Sequence, residues 1–97
     1  MLHTVNKSPY QFRSIQTCLR VALPEDPILL YEDGVYAAMP GTMVTPLMEK
    51  ALKTHPIFAI RADLKARGVE KLLEGIQVCD YSGFVALVEE QKVYSWL

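Results

Sequence analysis

Two thiols, Cys18 and Cys79, are the side chains of this chain best suited to covalent chemistry, because a thiolate can attack sulfur or carry it. They stand far apart in the sequence and have no metal-type spacing. Cys18 falls on a helix-like segment. At about 100° per residue it sits roughly 90° from the centre of that segment's apolar stripe, on the shoulder of the helix. Arg13 and Arg20 share the segment and would lower the thiol's pKa if they lay close. The competing reading is packing, since free cysteine is among the most buried residue types. Cys79 ends an apolar run, where an open parallel sheet gathers its ligands. Position alone makes Cys79 the better active-site candidate, although packing is the commoner role of such a strand residue.

The other polar groups are less suggestive. His3 and His55 lack a partner at helical spacing, so no metal site is expected. Glu32 and Asp33 are adjacent, and neighbours in an extended segment point to different sides, so they do not form an acid/base pair by themselves. Asp33-Gly34 reads as a turn that caps the helix after it. The carboxyl ends of the expected strands carry Asn6, Lys7, Glu32, Asp33, Arg61, Asp63 and Asp80, an acidic rim with two cations. No strand is followed by a glycine-rich phosphate loop, and G-x-S-x-G is absent. No cofactor is expected, and nothing here suggests a stand-alone enzyme.

The elements that must position these groups alternate. Leu2 to Val5, Ile28 to Tyr31, Ile57 to Ile60, Ile76 to Cys79 and Val93 to Leu97 read as strands. Ser8-Pro9-Tyr10-Gln11 resembles a capping box with proline at the first helical position, which opens a helix to about Ala22. Its stripe is Phe12, Ile15, Leu19, Ala22 and Leu23. Val35 to Met39 suits a short helix ended by Pro40-Gly41, and Thr45-Pro46 opens another. Ala62 to Arg67 is a helix with Gly68 as its left-handed stop, and Asp80 or Ser82 caps the last one. Strands alternating with helices predict a three-layer α/β/α fold around a five-stranded, mainly parallel sheet. The expected core is Leu2, Ile15, Leu19, Leu29, Leu30, Phe58, Ile60, Val78, Phe84 and Leu87. Trp96 calls for an anchor on a neighbouring strand or a partner.

Length and composition fit this plan. The 97 residues make one domain, 1–97, with 51% hydrophobic and 22% charged side chains, which excludes disorder. So apolar a small domain suggests that some of the excess covers a partner surface. A formal net charge of -1 argues against direct binding to nucleic acid. No apolar stretch approaches the roughly 20 residues that span a bilayer, and no export signal is read, so a cytoplasmic protein without membrane attachment is expected.

The segments MLHTVNKSP, TCLR, EDGVYAA, ADLKARG, DYSGFVALV and SWL recur in this order in one family. On them the chain is identified as a member of the DsrH/TusB family, a resemblance that covers nearly its whole length. The resemblance implies a compact α/β/α domain and a place in a heterohexamer, two copies each of three related subunits. The partners would be a DsrE/TusD-type and a DsrF/TusC-type subunit. Such complexes pass sulfur as a cysteine persulfide to a downstream carrier, toward tRNA wobble-uridine 2-thiolation in the Tus branch and sulfur oxidation in the Dsr branch. The principal sulfur-carrying cysteine belongs to the DsrE/TusD-type subunit. The cysteine of the family's first helix corresponds to Cys18, the candidate persulfide thiol here, and no function carries over to Cys79. The alternative is a scaffold subunit without thiol chemistry, to which Met39, Met43 and Met48 would lend adaptable contacts if they do not simply fill the core.

Overall fold

The computed structural model describes residues 1–97. Its strands are β1 Leu2–Val5, β2 Ile28–Leu30, β3 Ile57–Ile60, β4 Gln77–Cys79 and β5 Val93–Trp96. They form one parallel sheet in the order β4-β3-β2-β1-β5. The helices are α1 Ser14–Val21, α2 Thr45–Ala51, α3 Arg61–Ala66 and α4 Tyr81–Glu90, with a 3-10 helix over Glu32–Ala38. The expected α/β architecture is therefore the observed one. Strand order explains its layers. The chain steps from β1 to β4 in one direction, then returns past β1 to place β5 on its far side. Connections of one hand that step in opposite directions cross on opposite faces.

Register sorts the side chains accordingly. His3, Ile28 and Ile57 share one face, as do Val5, Leu30 and Ala59. This face carries the main core, where Ile15 and Cys18 of α1, Met48 of α2 and Leu64 of α3 pack together. Each fully buried aliphatic side chain there stabilises the fold by about 1.5–3 kcal/mol. The opposite face presents Thr4, Leu29 and Phe58 toward α4. Leu2 and Leu29 are buried, but no residue of α4 itself is. A single ten-residue helix covers only part of five strands. Phe58, Ile60, Phe84 and Leu87, expected in the core, are thus only half-buried, and Val78 on the edge strand is exposed.

The first helix starts later than its capping signal predicts. Ser8 closes a tight turn instead: its Oγ accepts from the Tyr10 N–H at 3.1 Å, and its carbonyl accepts from Gln11 and Phe12. The helix opens at Ser14 with no side-chain cap. Phe12 is left 47% exposed in the β1–α1 loop. Elsewhere the punctuation holds. Gly68 follows α3 at φ 66°, and Asp80 caps α4 by accepting from the Gly83 N–H at 2.9 Å.

Candidate functional site

The carboxyl rim of the sheet brings most of the expected polar residues together, but largely into structural bonds. Asp63 Oδ2 accepts from the Glu32 N–H at 2.9 Å. Asp33 Oδ1 accepts from Arg67 Nε at 2.8 Å, and Asp63 Oδ1 lies 3.6 Å from Arg67 Nη1. The bond to Asp33 raises the Arg67 pKa above its already high ordinary value. Arg67 is therefore the hub of the rim, a residue absent from the expected set. The Asp63/Arg67 pair at i,i+4 was the available signal. Asn6 Nδ2 lies 3.5 Å from Glu32 Oε1. Asp80 is committed to the α4 cap, whose backbone N–H and the Ser82 hydroxyl hold its carboxyl below the usual range. The rim thus favours the structural reading of Glu32 and Asp33.

Two backbone features sharpen this region. Glu32 has φ 47°, a left-handed conformation that costs a non-glycine residue about 1–3 kcal/mol. Gly34 sits where β1 passes. A β-carbon there would overlap the Val5 carbonyl oxygen, so the close approach requires glycine.

The thiols are free and separate. Cys18 corrects its expected shoulder position: it is 0% exposed, in the main core. Burial pushes its thiol from 9.0 up to about 12, and the Asp26 carboxylate adds to the effect. Arg13 and Arg20 are exposed and do not offset it. Burial of this kind favours the protonated thiol at neutral pH. Cys79 is half-buried on the α4 face, close to Gly83. Burial, then Asp80, raises its pKa as well. No group of three or more His, Cys, Asp or Glu side chains is arranged to hold a metal ion.

A buried polar chain lies on the core face. Trp96 Nε1 donates to His3 Nδ1 at 3.1 Å, and His3 Nε2 lies 3.0 Å from Asp26 Oδ2. Indole only donates, so Nδ1 must be bare and the His3 proton sits on Nε2, donated to Asp26. Burial raises the Asp26 carboxyl, but His3, the Leu23 N–H and the terminal amine outweigh it and leave the group below its usual range. His55 Nδ1 completes the chain at 2.9 Å from the Asp26 carbonyl. Both histidines are thereby structural, and β1 rather than a partner anchors Trp96.

An apolar surface lies on the α4 face. Tyr31 and Phe84 line two adjoining depressions of about 120 and 250 Å³, one closed by Tyr81 and Ile60, the other by Val88 and Val93. Tyr81 is 73% exposed and Val88 37%. A helix with apolar residues on most sides ordinarily sits inside an assembly.

The chain is similar to known proteins in sequence and in fold. The model of a family described as "DsrH like protein" matches residues 7–93. Protein TusB of Pectobacterium carotovorum is 35% identical over 99% of this chain and 100% of that one. Protein TusB of Shigella flexneri is also 35% identical, with the same coverage. Among solved structures, the ychN protein of E. coli superposes with a TM-score of 0.82 at 18% identity, over 97% of each chain. A protein of unknown function from Methanobacterium thermoautotrophicum gives 0.74 at 15% identity, over 97% of this chain and 95% of that one. These two likenesses speak for the fold alone. With a family model spanning most of its length and full-length relatives at about a third identity, the chain belongs to the DsrH/TusB family.

Proposed function

We infer that this chain is a scaffold subunit of a cytoplasmic sulfur-relay complex that serves tRNA wobble-uridine 2-thiolation. The partners in this reading are a DsrE/TusD-type and a DsrF/TusC-type subunit, in a heterohexamer that hands sulfur to a downstream carrier. The full-length relatives named Protein TusB support the tRNA branch over sulfur oxidation. The observation that carries the reading is α4, an apolar helix with no buried residue over a half-covered sheet. Such a face is stable in water only at the cost of exposed hydrocarbon, which a sibling subunit removes.

In a persulfide relay the accepting thiolate attacks the outer sulfur of the donor persulfide, the S–S bond breaks, and the donor leaves as a thiolate. Cys18 is poorly placed for that step, being buried and protonated. The chemistry then falls to a sibling, while this chain completes the assembly. Co-expression with the two sibling subunits, followed by size exclusion and intact-mass analysis after incubation with a persulfide donor, tests the reading. The expected result is co-elution, a sulfur adduct on a sibling, and loading that Cys18→Ser leaves unchanged. Separate elution would refute the assembly. An adduct on this chain that Cys18→Ser removes would make Cys18 a working relay thiol instead.

A further inference from the structure

The β1–α1 loop carries a second surface, on the side of the sheet opposite α4. Tyr10, Phe12, Arg13, Gln16 and Met43 line a groove of about 230 Å³ there. Three of its walls are unusually bare: Tyr10 is 54% exposed, Phe12 47% and Met43 75%. Two cations stand over it. Lys7 Nζ lies 5.1 Å from the centre of the Phe12 ring, and Arg13 is on the lining itself. Neither takes part in an ion pair; the cation of the neighbouring rim, Arg67, is already taken by Asp33 and Asp63. Beneath the groove, Gln16 Oε1 in the first turn of α1 is buried and has no hydrogen-bond donor, and Asn6 Oδ1 at the start of the loop is in the same condition. Buried acceptors of this kind are rare and call for a donor. The loop follows β1, the strand at which the sheet order reverses, and open α/β sheets bind ligands at the carboxyl end of such strands.

We propose that this groove docks an extended acidic segment of a partner protein: an apolar side chain packs against Phe12, Tyr10 and Met43, and carboxylates meet Lys7 and Arg13. Each part of the ligand answers a feature that the chain leaves unpartnered. Aromatic and cationic groups together also suit single-stranded RNA. Here the rim beside the groove is acidic, since Tyr36, against which Tyr10 packs at 6.0 Å between rings, lies in the helix that opens with Glu32 and Asp33. Asp33 is paired with Arg67, but a polyphosphate chain, charged at every unit, would still run past the Glu32 carboxylate, whereas a short segment with its charges at Lys7 and Arg13 would not. The proposal is independent of the sulfur-relay reading.

Panning a library of short random peptides on the purified full chain tests it. Enriched peptides should be acidic around a large apolar residue. A resynthesised member should lose about tenfold or more in affinity with Phe12→Ala, and a Lys7→Glu, Arg13→Glu double variant should select basic peptides instead. Phe12 and Arg13 are exposed and Lys7 is half-buried, and circular dichroism checks that the fold persists. A Val88→Glu variant on the α4 face should bind the peptide unchanged. Lack of enrichment over the Phe12→Ala chain, or enrichment without charge preference, would overturn the proposal. So would tighter binding of a single-stranded RNA oligomer, which would assign the groove to RNA. Concentration-dependent self-association abolished by the charge reversal would assign it to a second copy, and would overturn it equally.

Discussion

Cys18 links its burial to the alkaline stability of the chain. Its thiol titrates near 12 in the folded state against an ordinary 9.0. Below pH 9 both folded and unfolded chains hold the proton, and the contribution is fully present. Between about 9 and 12 the unfolded chain releases its proton first, so stability falls as pH rises. The linkage amounts to a few kcal/mol at most, on the order of 4 for three pH units. Urea denaturation of wild type and Cys18→Ala across this range should show the wild type losing stability more steeply; parallel curves would mean that the thiol is not held protonated. In the native chain, iodoacetamide should modify Cys79 first and Cys18 only on unfolding. Gly34→Ala meets a harder barrier, because the added carbon would overlap the Val5 carbonyl. A loss of roughly 3 kcal/mol or more is expected from its thermal midpoint.

At the scale of elements, β5 is held by two side-chain bonds as well as its ladder to β1: Thr4 Oγ1 donates to Ser95 Oγ at 3.2 Å, and Trp96 donates to His3. Trp96→Phe keeps an aromatic side chain, smaller than the indole, but removes the donor to His3 Nδ1, which leaves that acceptor unpaired in a residue only 3% exposed. The cost should be about 1–3 kcal/mol. Amide hydrogen exchange should quicken across Val93–Trp96 while β2 and β3 stay protected; uniform exchange would mean that the bond does not pin the strand. The opening of α1 teaches a related lesson. Ser8 and Pro9 carry the pattern of a helix cap, but a hydroxyl accepting from a nearby N–H serves a tight turn equally well. Removing that first turn from α1 also takes Phe12 off the stripe. The buried face then centres on Ile15 and Cys18, which is why the shoulder position inferred for the thiol became core.

For the whole molecule, the unequal covering of the two sheet faces is the main consequence of topology. Four helical segments pack on one face and α4 alone crosses the other. Val88→Glu should therefore leave the urea midpoint of the isolated chain nearly unchanged, within about 0.5 kcal/mol, yet prevent co-elution with sibling subunits. Retained co-elution would show that assembly uses another surface. No helix is long and apolar enough to cross a membrane, so the exposed apolar side chains of α4 are not part of a helical span.

The succession of strands and helices along the chain, the parallel sheet, the Gly68 stop and a cap for α4 at Asp80 or Ser82 were all legible in the sequence, because each rests on local hydrogen bonding or on the period of apolar residues. The family was legible too, from segments spread along the whole chain. Only the tertiary structure decided which residues are covered. Phe58, Ile60, Phe84 and Leu87 carry a core pattern but lie under a single helix. Cys18 could be shoulder or core until the start of α1 was known. The bond from Trp96 to His3 joins the two ends of the sequence, and the Arg67 hub joins the end of α3 to the 3-10 helix. Periodicity records which way a side chain faces along its own element, whereas burial and pairing depend on what packs across from it.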